Sequence, residues 1–185
     1  MHVRRAERLL RPLSQPPRLD WYGIGGGAVR PSRPRLDAIL PALVVGEYPN
    51  LIDVPWLRDE HGITAVVCLQ DDADLASKRL RLADLRTAYG DTGLAFDHVP
   101  VPDGDPEFLA DRLPTIVEIL RDHVARGASV YLHCNAGMNR APTAAIAYMH
   151  VVEGLALREA VAFVKARRSC IPYVRALDLC YGGLP

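Results

Sequence analysis

A cysteine and an arginine separated by five residues form the segment of this sequence best suited to chemistry. Cys134 follows an apolar run at residues 130–133, and Arg140 begins a second apolar run. The pattern predicts a buried strand, a short loop and a helix that starts at Arg140. The unpaired N–H groups and the dipole of a helix start attract anions, and a guanidinium suits two oxygens of a phosphate group. The segment therefore predicts a phosphate site with a thiol in its floor.

The backbone of this loop is expected to hold the phosphate, while its side chains set the loop conformation. Gly137 is expected to adopt a positive φ, and Asn139 is among the better residues other than glycine for such a conformation. His133 is expected to bond the backbone near the loop and hold its shape. Inward N–H groups, the helix dipole and Arg140 favour a thiolate at Cys134, the nucleophilic form. The predicted phosphate-binding residues are Asn135, Ala136, Gly137, Met138, Asn139 and Arg140.

A buried, inert thiol is the commoner fate of a lone cysteine at the end of a strand. That alternative does not account for the glycine and the arginine that follow Cys134 in a strand–loop–helix context. We therefore favour a nucleophile at this position.

Apolar patterning along the chain predicts alternating strands and helices. Strands are expected near residues 42–45, 63–69, 94–101 and 129–132, and helices near 54–61, 109–124, 141–152, 157–168 and 174–180. Pro114 interrupts the second helical pattern and is expected to mark where the regular helix begins. The alternation predicts an α/β domain with a central mixed, mainly parallel sheet of about four to five strands, flanked by helices.

Residues 1–37 differ in composition from the rest of the chain. They contain eight arginines, three acidic residues and five prolines, and they include a glycine run at residues 23–27. Pro and Gly at this density oppose long helices, so we expect an irregular arm with a turn around residues 21–27. The glycine run has no strand before it and no Gly-Lys-Ser/Thr after it, which disfavours a nucleotide loop. The predicted domain spans residues 38–185.

Composition excludes several classes of protein. The formal net charge of zero gives no general basic surface for nucleic acid, and no apolar stretch reaches the length of a membrane span. The four cysteines show no CxxC spacing that would suggest zinc or a thioredoxin-like site. No metal or other cofactor is expected. Their sparse use is typical of a reducing compartment, and the chain is expected to be cytoplasmic.

The motif His133-Cys134-x5-Arg140 resembles the signature of the cysteine-dependent protein tyrosine phosphatase superfamily. The late position of Cys134 is similar to that in the dual-specificity branch. This resemblance implies the phosphatase fold, a metal-free reaction through a cysteinyl-phosphate, and a general acid on an upstream loop. In that branch the acid has about the spacing of Asp103, 31 residues before Cys134. Asp105, which precedes Pro106, is expected instead to cap a helix or to lie in a turn.

Further segments are similar to the laforin-like and plant starch phosphatases, the glucan phosphatases. This resemblance implies a phosphoglucan phosphatase as an alternative to a dual-specificity protein phosphatase, with phosphorylated carbohydrate or phosphorylated protein as the substrate. Three positions depart from the glucan group: Asn139 replaces a glycine, and Gly104 and Ile171 replace aromatic residues that stack on sugar rings. A catalytically silent phosphate-binding module is a second alternative. The similar segments are residues 44–49, 57–58, 62–66, 68–71, 112–114, 134–138, 140–142 and 168–172.

Cys68 ends a strand that is expected to neighbour the strand of Cys134. Some members of the superfamily place a second thiol there that pairs with the nucleophile. The resemblance thus implies a reversible Cys68–Cys134 disulfide that would protect Cys134 from overoxidation. A small core residue at position 68 is an equal alternative.

Overall fold

A computed structural model describes residues 33–183 of the chain. Its centre is a five-stranded sheet, with strands β1 (Leu36–Leu40), β2 (Leu43–Gly46), β3 (Ala65–Cys68), β4 (Ala95–His98) and β5 (Val130–His133). The order across the sheet is β1-β2-β5-β3-β4. β1 pairs antiparallel with β2, and all other neighbours are parallel. The predicted α/β class and the mixed, mainly parallel sheet are confirmed.

Seven α-helices in the described part of the chain cover the two faces of this sheet, and a 3-10 turn at Leu51–Asp53 precedes the first helix. All five predicted helices are present, with small differences at their ends. The helices are α1 (Val54–His61), α2 (Asp72–Ser77), α3 (Leu82–Asp91), α4 (Pro106–Ala125), α5 (Arg140–Val151), α6 (Leu157–Lys165) and α7 (Val174–Tyr181).

Side chains alternate between two hydrophobic clusters along each central strand. In β3, Ala65 and Val67 pack into the larger cluster with α4, α5, α6 and α7, whereas Val66 packs into the smaller one with α1 and α3. The same alternation places Leu132 of β5 in the larger cluster and Tyr131 in the smaller one. Successive side chains of a strand point to opposite faces, so the apolar runs of β2, β3 and β5 require cover on both sides.

The expectation that Pro114 marks the start of a regular helix is wrong. α4 begins at Pro106 and passes through Pro114 without interruption. Proline inside a helix costs about 3 kcal/mol because it removes one hydrogen bond and clashes with the preceding turn. Pro114 lies on the exposed side, and burial of the opposite face of α4 continues across it. That burial offsets the cost.

Three elements were not predicted: β1, α2 and α3. β1 begins at Leu36, so the predicted boundary after residue 37 falls inside this strand. Arg35 pairs with Glu47 at the end of β2, and Arg33 pairs with Asp53, which ties the start of the described chain to the domain. Residues 1–32 of the irregular arm predicted for residues 1–37, together with the turn predicted around residues 21–27, lie outside the described residues.

Candidate active site

The segment that joins β5 to α5, residues 134–140, lies at the carboxyl edge of the sheet and is called the 134–140 loop below. Parallel register places His133 between Gly46 of β2 and Cys68 of β3 at this edge. α5 begins at Arg140, so the N-terminus of a buried helix points into the loop. Cys134 and Arg140 are 2% and 1% exposed, respectively. The predicted strand–loop–helix arrangement is therefore present.

The carbonyl groups of the 134–140 loop point away from its centre. Each carbonyl from Cys134 to Asn139 accepts a hydrogen bond from a group outside the loop. Because a trans peptide unit is planar, its N–H points opposite to its carbonyl, and the N–H groups of residues 135–140 face the centre. Within residues 33–183, no group accepts a hydrogen bond from the N–H groups of residues 135–139. In chain order the donors to the carbonyls are His133 Nδ1, Tyr48 N, Arg168 Nη2, Arg168 Nε, Ile171 N and Thr143 N.

Arg168 supports the loop from behind. Its Nε donates to the carbonyl of Gly137 at 2.6 Å, and its Nη1 donates to the carboxylate of Asp37 at 2.8 Å and the carbonyl of Val45 at 3.2 Å. The side chain is buried, so these acceptors replace the water that its charge has lost. Arg168 thereby joins β1, β2 and the loop, and it orients the adjoining N–H groups toward the centre.

Gly137 takes the predicted positive φ, at 63°. A Cβ atom at this position would lie 2.3 Å from Arg168 Nη2 and 2.4 Å from the carbonyl oxygen of Gly46. Glycine is therefore required twice, for the left-handed conformation and for the close approach of the loop to β2.

Asn139 does not take the left-handed conformation suggested for it, because its φ is −118°. Its Nδ2 instead donates to the carbonyl of Ile171 at 2.7 Å. The side chain thus links the 134–140 loop to the segment before α7. This contact is one that a glycine at position 139 could not make.

His133 holds the start of the loop, as predicted. Its Nδ1 faces the carbonyl of Cys134 at 3.1 Å, and a carbonyl only accepts, so the proton is on Nδ1. Burial lowers the pKa of His133 to about 4, which keeps the ring neutral near pH 7. Its buried Nε2 has no partner among the described residues.

Arg140 is held by one edge of its guanidinium. Nη1 donates to Asp74 Oδ2 at 2.6 Å and to the carbonyl of Val101 at 2.8 Å. Nε lies 3.3 Å from Asp103 Oδ1, an ion pair without hydrogen-bond geometry, so Nε–H has no acceptor among the described residues. Burial is the largest single influence and acts to lower the pKa of Arg140, but Asp74, Cys134 and Asp103 together outweigh it, and the pKa is raised. The free edge of this cation can take two oxygens of an anion.

Asp103 reaches the site from the loop between β4 and α4. Its carboxylate is 56% exposed, and its Oδ1 accepts a hydrogen bond from the hydroxyl of Tyr173 at 2.9 Å. The structure therefore brings the carboxyl group of Asp103, the predicted acid, next to Arg140. Asp105, by contrast, caps α4, since its Oδ1 accepts from the N–H of Phe108 at 2.8 Å. Of the two roles expected for Asp105, helix cap or turn, the structure shows the helix cap.

Cys68 ends β3 next to the strand of Cys134, as predicted. Both thiols are free and buried. Burial raises the pKa of Cys68 to about 12, so this side chain is a protonated thiol at neutral pH. Its Sγ contacts Gln70 Oε1 at 3.8 Å, and Gln70 Nε2 reaches Asn135 Oδ1 at 3.5 Å.

Asp74, Arg168 and Tyr173 complete the site, and their roles were not predicted. For Asp74, the nearby sequence offers one pattern, because Asp71 and Asp74 form a capping box at the start of α2. Nothing in the spacing of Arg168 or Tyr173 shows that they reach residues 31 and 70 positions away.

Two kinds of feature are absent from residues 33–183. No cluster of three or more His, Cys, Asp or Glu side chains has a metal-binding arrangement. No helix has the length and apolarity needed to span a membrane.

Comparison with known families agrees with this geometry. The family model described as dual specificity phosphatase, catalytic domain, matches residues 43–175, from β2 to the start of α7. The chain belongs to this family. The match includes the 134–140 loop, Asp74, Asp103, Arg168 and Tyr173.

Curated relatives of this chain carry names that describe different roles. The amyloplastic phosphoglucan phosphatase of Castanea sativa is 35% identical over 145 residues, which cover 75% of this chain and 38% of that protein. Mouse laforin is 28% identical, over 72% of this chain and 44% of laforin. The human serine/threonine/tyrosine-interacting protein is 27% identical, over 76% of this chain and 60% of that protein. The chain thus spans less than half the length of the first two relatives.

Solved structures show the same dual specificity phosphatase fold. Tk-PTP in its active form aligns with a TM-score of 0.69 at 22% identity, over 80% of this chain and 97% of that one. The human tyrosine phosphatase-like serine/threonine/tyrosine-interacting protein aligns with a TM-score of 0.64 at 24% identity, over 78% of this chain and 92% of that one.

Proposed function

We propose that this chain hydrolyses phosphate monoesters through a cysteinyl-phosphate intermediate on Cys134. The outward orientation of every carbonyl from Cys134 to Asn139 carries the proposal, because it leaves a ring of inward N–H donors beside a thiol. The free edge of the Arg140 guanidinium lies at the same place. Donors fixed before the reaction stabilise the charge that develops in a transition state without having to reorganise.

In the first step, the Cys134 thiolate attacks phosphorus in line with the ester oxygen. The S–P bond forms as the P–O bond breaks, and Asp103 donates its proton to the departing oxygen so that a neutral alcohol leaves. The N–H groups of residues 135–140 and the guanidinium of Arg140 hydrogen-bond the three remaining oxygens. His133 stays neutral and keeps the loop in shape.

In the second step, the Asp103 carboxylate accepts a proton from a water molecule. The water oxygen attacks phosphorus, the S–P bond breaks, and the electron pair returns to Cys134 as a thiolate. Inorganic phosphate is released, and Asp103 is protonated again for the next turnover. The cycle uses side chains and backbone groups already in place and needs no redox partner.

Phosphorylated protein is the substrate class we propose. At the mouth of the site, Ile171 is 67% exposed. A Cβ atom at Gly104 would have no other atom within 4 Å, so the space around this glycine is open. Neither position presents an aromatic face to a sugar ring, whereas a phosphorylated side chain needs only the anion site. The four cysteines are all free thiols, which supports a reducing cytoplasm as the compartment we propose.

Phosphoglucan is the second candidate substrate. It is supported by the 35% identity to the phosphoglucan phosphatase of Castanea sativa and by the match to laforin. Release of inorganic phosphate from phosphorylated starch, compared with tyrosine- and serine-phosphorylated peptides, separates the two classes. Higher kcat/KM on the peptides supports the first, and higher kcat/KM on starch supports the second.

A phosphate-binding module without turnover is the remaining candidate, and the tyrosine phosphatase-like human relative favours testing it. The decisive assay is hydrolysis of p-nitrophenyl phosphate with vanadate as inhibitor. We expect the wild type to turn over p-nitrophenyl phosphate and vanadate to inhibit it. Cys134→Ser should show no turnover. Cys180→Ser, at a free thiol near the C-terminal end of α7, is the matched control and should retain activity. Vanadate binding without turnover by the wild type would establish the module instead.

A further inference from the structure

Residues 170–173 connect α6 to α7 and cross the mouth of the site; they are called the strap below. The strap contacts the 134–140 loop on one side and the loop that carries Asp103 on the other.

The strap is tied to the 134–140 loop by two hydrogen bonds. The N–H of Ile171 donates to the carbonyl of Met138 at 2.9 Å, and Nδ2 of Asn139 donates to the carbonyl of Ile171 at 2.7 Å. Both polar groups of Ile171 are therefore held by the same loop. Among residues 33–183, the backbone of Ile171 has no hydrogen-bond partner outside the 134–140 loop.

A third hydrogen bond anchors the backbone N–H of Tyr173 to α5. The N–H of Tyr173 donates to Thr143 Oγ1 at 2.8 Å, and that hydroxyl donates its own proton to the carbonyl of Asn139 at 2.7 Å. Thr143 is fully buried, so its position is set by the core. The backbone of Tyr173 is thus anchored to the helix that begins with Arg140.

The hydroxyl of Tyr173 reaches from this anchor to the acid loop. It donates to Asp103 Oδ1 at 2.9 Å and accepts from the N–H of Gly104 at 2.9 Å. Asp103 Oδ1 lies 3.3 Å from Arg140 Nε, so the same oxygen faces both the phenol and the guanidinium. No group among residues 33–183 hydrogen-bonds Oδ2, which leaves that oxygen to carry the proton.

We propose that Tyr173 is the positioning residue that holds the carboxyl group of Asp103 over the 134–140 loop for proton donation to the leaving oxygen. The inference rests on the proposed function, since it assigns a role within that reaction. An exposed carboxylate on a loop has many positions open to it, and a phenol anchored to α5 restricts them. The rate of proton transfer falls steeply when an acid is misplaced, because the acid must lie within hydrogen-bond distance of the leaving oxygen.

The protonation state of Tyr173 suits this role. Burial and the neighbouring Asp103 carboxylate raise its pKa above the ordinary value of 10, whereas the Gly104 hydrogen bond acts to lower it. The phenol therefore keeps its proton across the neutral range and donates to whichever oxygen of Asp103 it faces.

The test is Tyr173→Phe, which removes the hydroxyl and keeps the ring. Tyr181→Phe, at the other end of α7, removes a phenol hydroxyl away from Asp103 and is the matched control. The measurement is kcat/KM on p-nitrophenyl phosphate, whose leaving group scarcely needs a proton, and on an alkyl phosphate, whose leaving group does. We expect Tyr173→Phe to lose about 10-fold on the alkyl phosphate and less than about 2-fold on p-nitrophenyl phosphate. The control should lose neither.

A second measurement separates positioning from a merely structural effect. In an Asp103→Ala background, Tyr173→Phe should cause no further loss on the alkyl phosphate, because the acid that it positions is absent. Equal losses by Tyr173→Phe on both substrates, or a full further loss in the Asp103→Ala background, would overturn the assignment while the proposed function stands. Absence of turnover by the wild type would overturn the proposed function and this assignment together.

Discussion

Asp74 Oδ2 accepts a hydrogen bond from Arg140 Nη1 at 2.6 Å, so an acid on α2 sets the orientation of the cation on α5. Both side chains are largely buried, and the carbonyl of Val101 accepts from the same Nη1. The contact explains why only one edge of the guanidinium is open to a ligand. Loss of either partner would destabilise the protein, because the other charge would be left unpaired in the core.

Asp74→Ala is expected to lower the free energy of unfolding by about 3 kcal/mol, since it leaves the Arg140 charge without its carboxylate. It should also lower kcat/KM on p-nitrophenyl phosphate by at least about 10-fold, because Arg140 can then rotate away from the anion. Urea denaturation and steady-state kinetics measure the two effects. Asp72→Ala removes an exposed carboxylate of the same helix and serves as the control. Similar kinetics for the two variants would show that Asp74 does not orient Arg140.

Gly137→Ala is expected to abolish measurable turnover. The added methyl group would lie 2.3 Å from Arg168 Nη2 and 2.4 Å from the carbonyl oxygen of Gly46, so the loop has to move and its N–H groups lose their common centre. Gly127→Ala is a control for backbone strain alone, because Gly127 has a φ of 83° with open space around it. That variant should lose about 1–2 kcal/mol of stability and keep its kcat/KM. Normal turnover by Gly137→Ala would mean that the N–H ring is not needed.

Asp103→Ala is expected to slow hydrolysis of an alkyl phosphate by about 100-fold or more, which is the lower range for the loss of a positioned acid. Hydrolysis of p-nitrophenyl phosphate should fall much less, because p-nitrophenolate leaves readily without a proton. The measurement is kcat/KM on both substrates for the wild type and the variant. Asp105→Ala, which removes the cap of α4, should affect both substrates alike. The same loss on both substrates for Asp103→Ala would remove Asp103 from the acid role.

Mild oxidation is expected to join Cys68 to Cys134. Peroxide first converts the Cys134 thiolate to a sulfenic acid, and the Cys68 thiol then displaces its oxygen as water to give the disulfide. The raised pKa of Cys68, about 12, makes Cys134 the first thiol to react. With enough peroxide to carry an unpaired sulfenic acid on to the sulfinic acid, dithiothreitol should restore the activity of the oxidised wild type and of Cys180→Ala, but not of Cys68→Ala. Peptide mapping that finds a sulfinic acid at Cys134 beside a free Cys68 would contradict the pairing.

Stability is expected to fall between about pH 6.5 and pH 4 because of His133. Its pKa is about 4 in the folded protein, where burial disfavours the charged ring, and about 6.5 in the unfolded chain. Over this range the unfolded state binds the proton and the folded state does not, so the free energy of unfolding decreases as pH falls. The full difference is about 3 kcal/mol. Urea denaturation at pH 7 and pH 4.5 measures it.

His133→Asn removes the titrating group and keeps a side-chain N–H that can face the carbonyl of Cys134. The difference in stability between pH 7 and pH 4.5 should therefore be smaller in this variant than in the wild type. Carboxylates contribute to acid sensitivity in both proteins, and the comparison cancels them. An unchanged pH dependence in His133→Asn would show that His133 is not the source of the effect.

Much of the fold followed from local pattern. Continuous β-branched and apolar runs such as residues 65–68 require cover on both faces, which predicts a parallel sheet between helices. The helix ends at Gly62 and the cap at Asp105 rest on backbone rules that act within one turn. α2 and α3 were not predicted, because they are short and polar, and their stability depends on burying Leu75 and Leu85 in the smaller cluster.

The sequence by itself determined the strand–loop–helix unit, the glycine at position 137 and the presence of a cysteine and an arginine at its two ends. These features depend on neighbouring residues, whose geometry is set by short-range sterics and hydrogen bonding. Only the tertiary structure decided how the unit is oriented. Asp74, Arg168 and Tyr173 reach it from other elements, and a charged or polar side chain finds its partner by packing in three dimensions, which spacing along the chain does not encode.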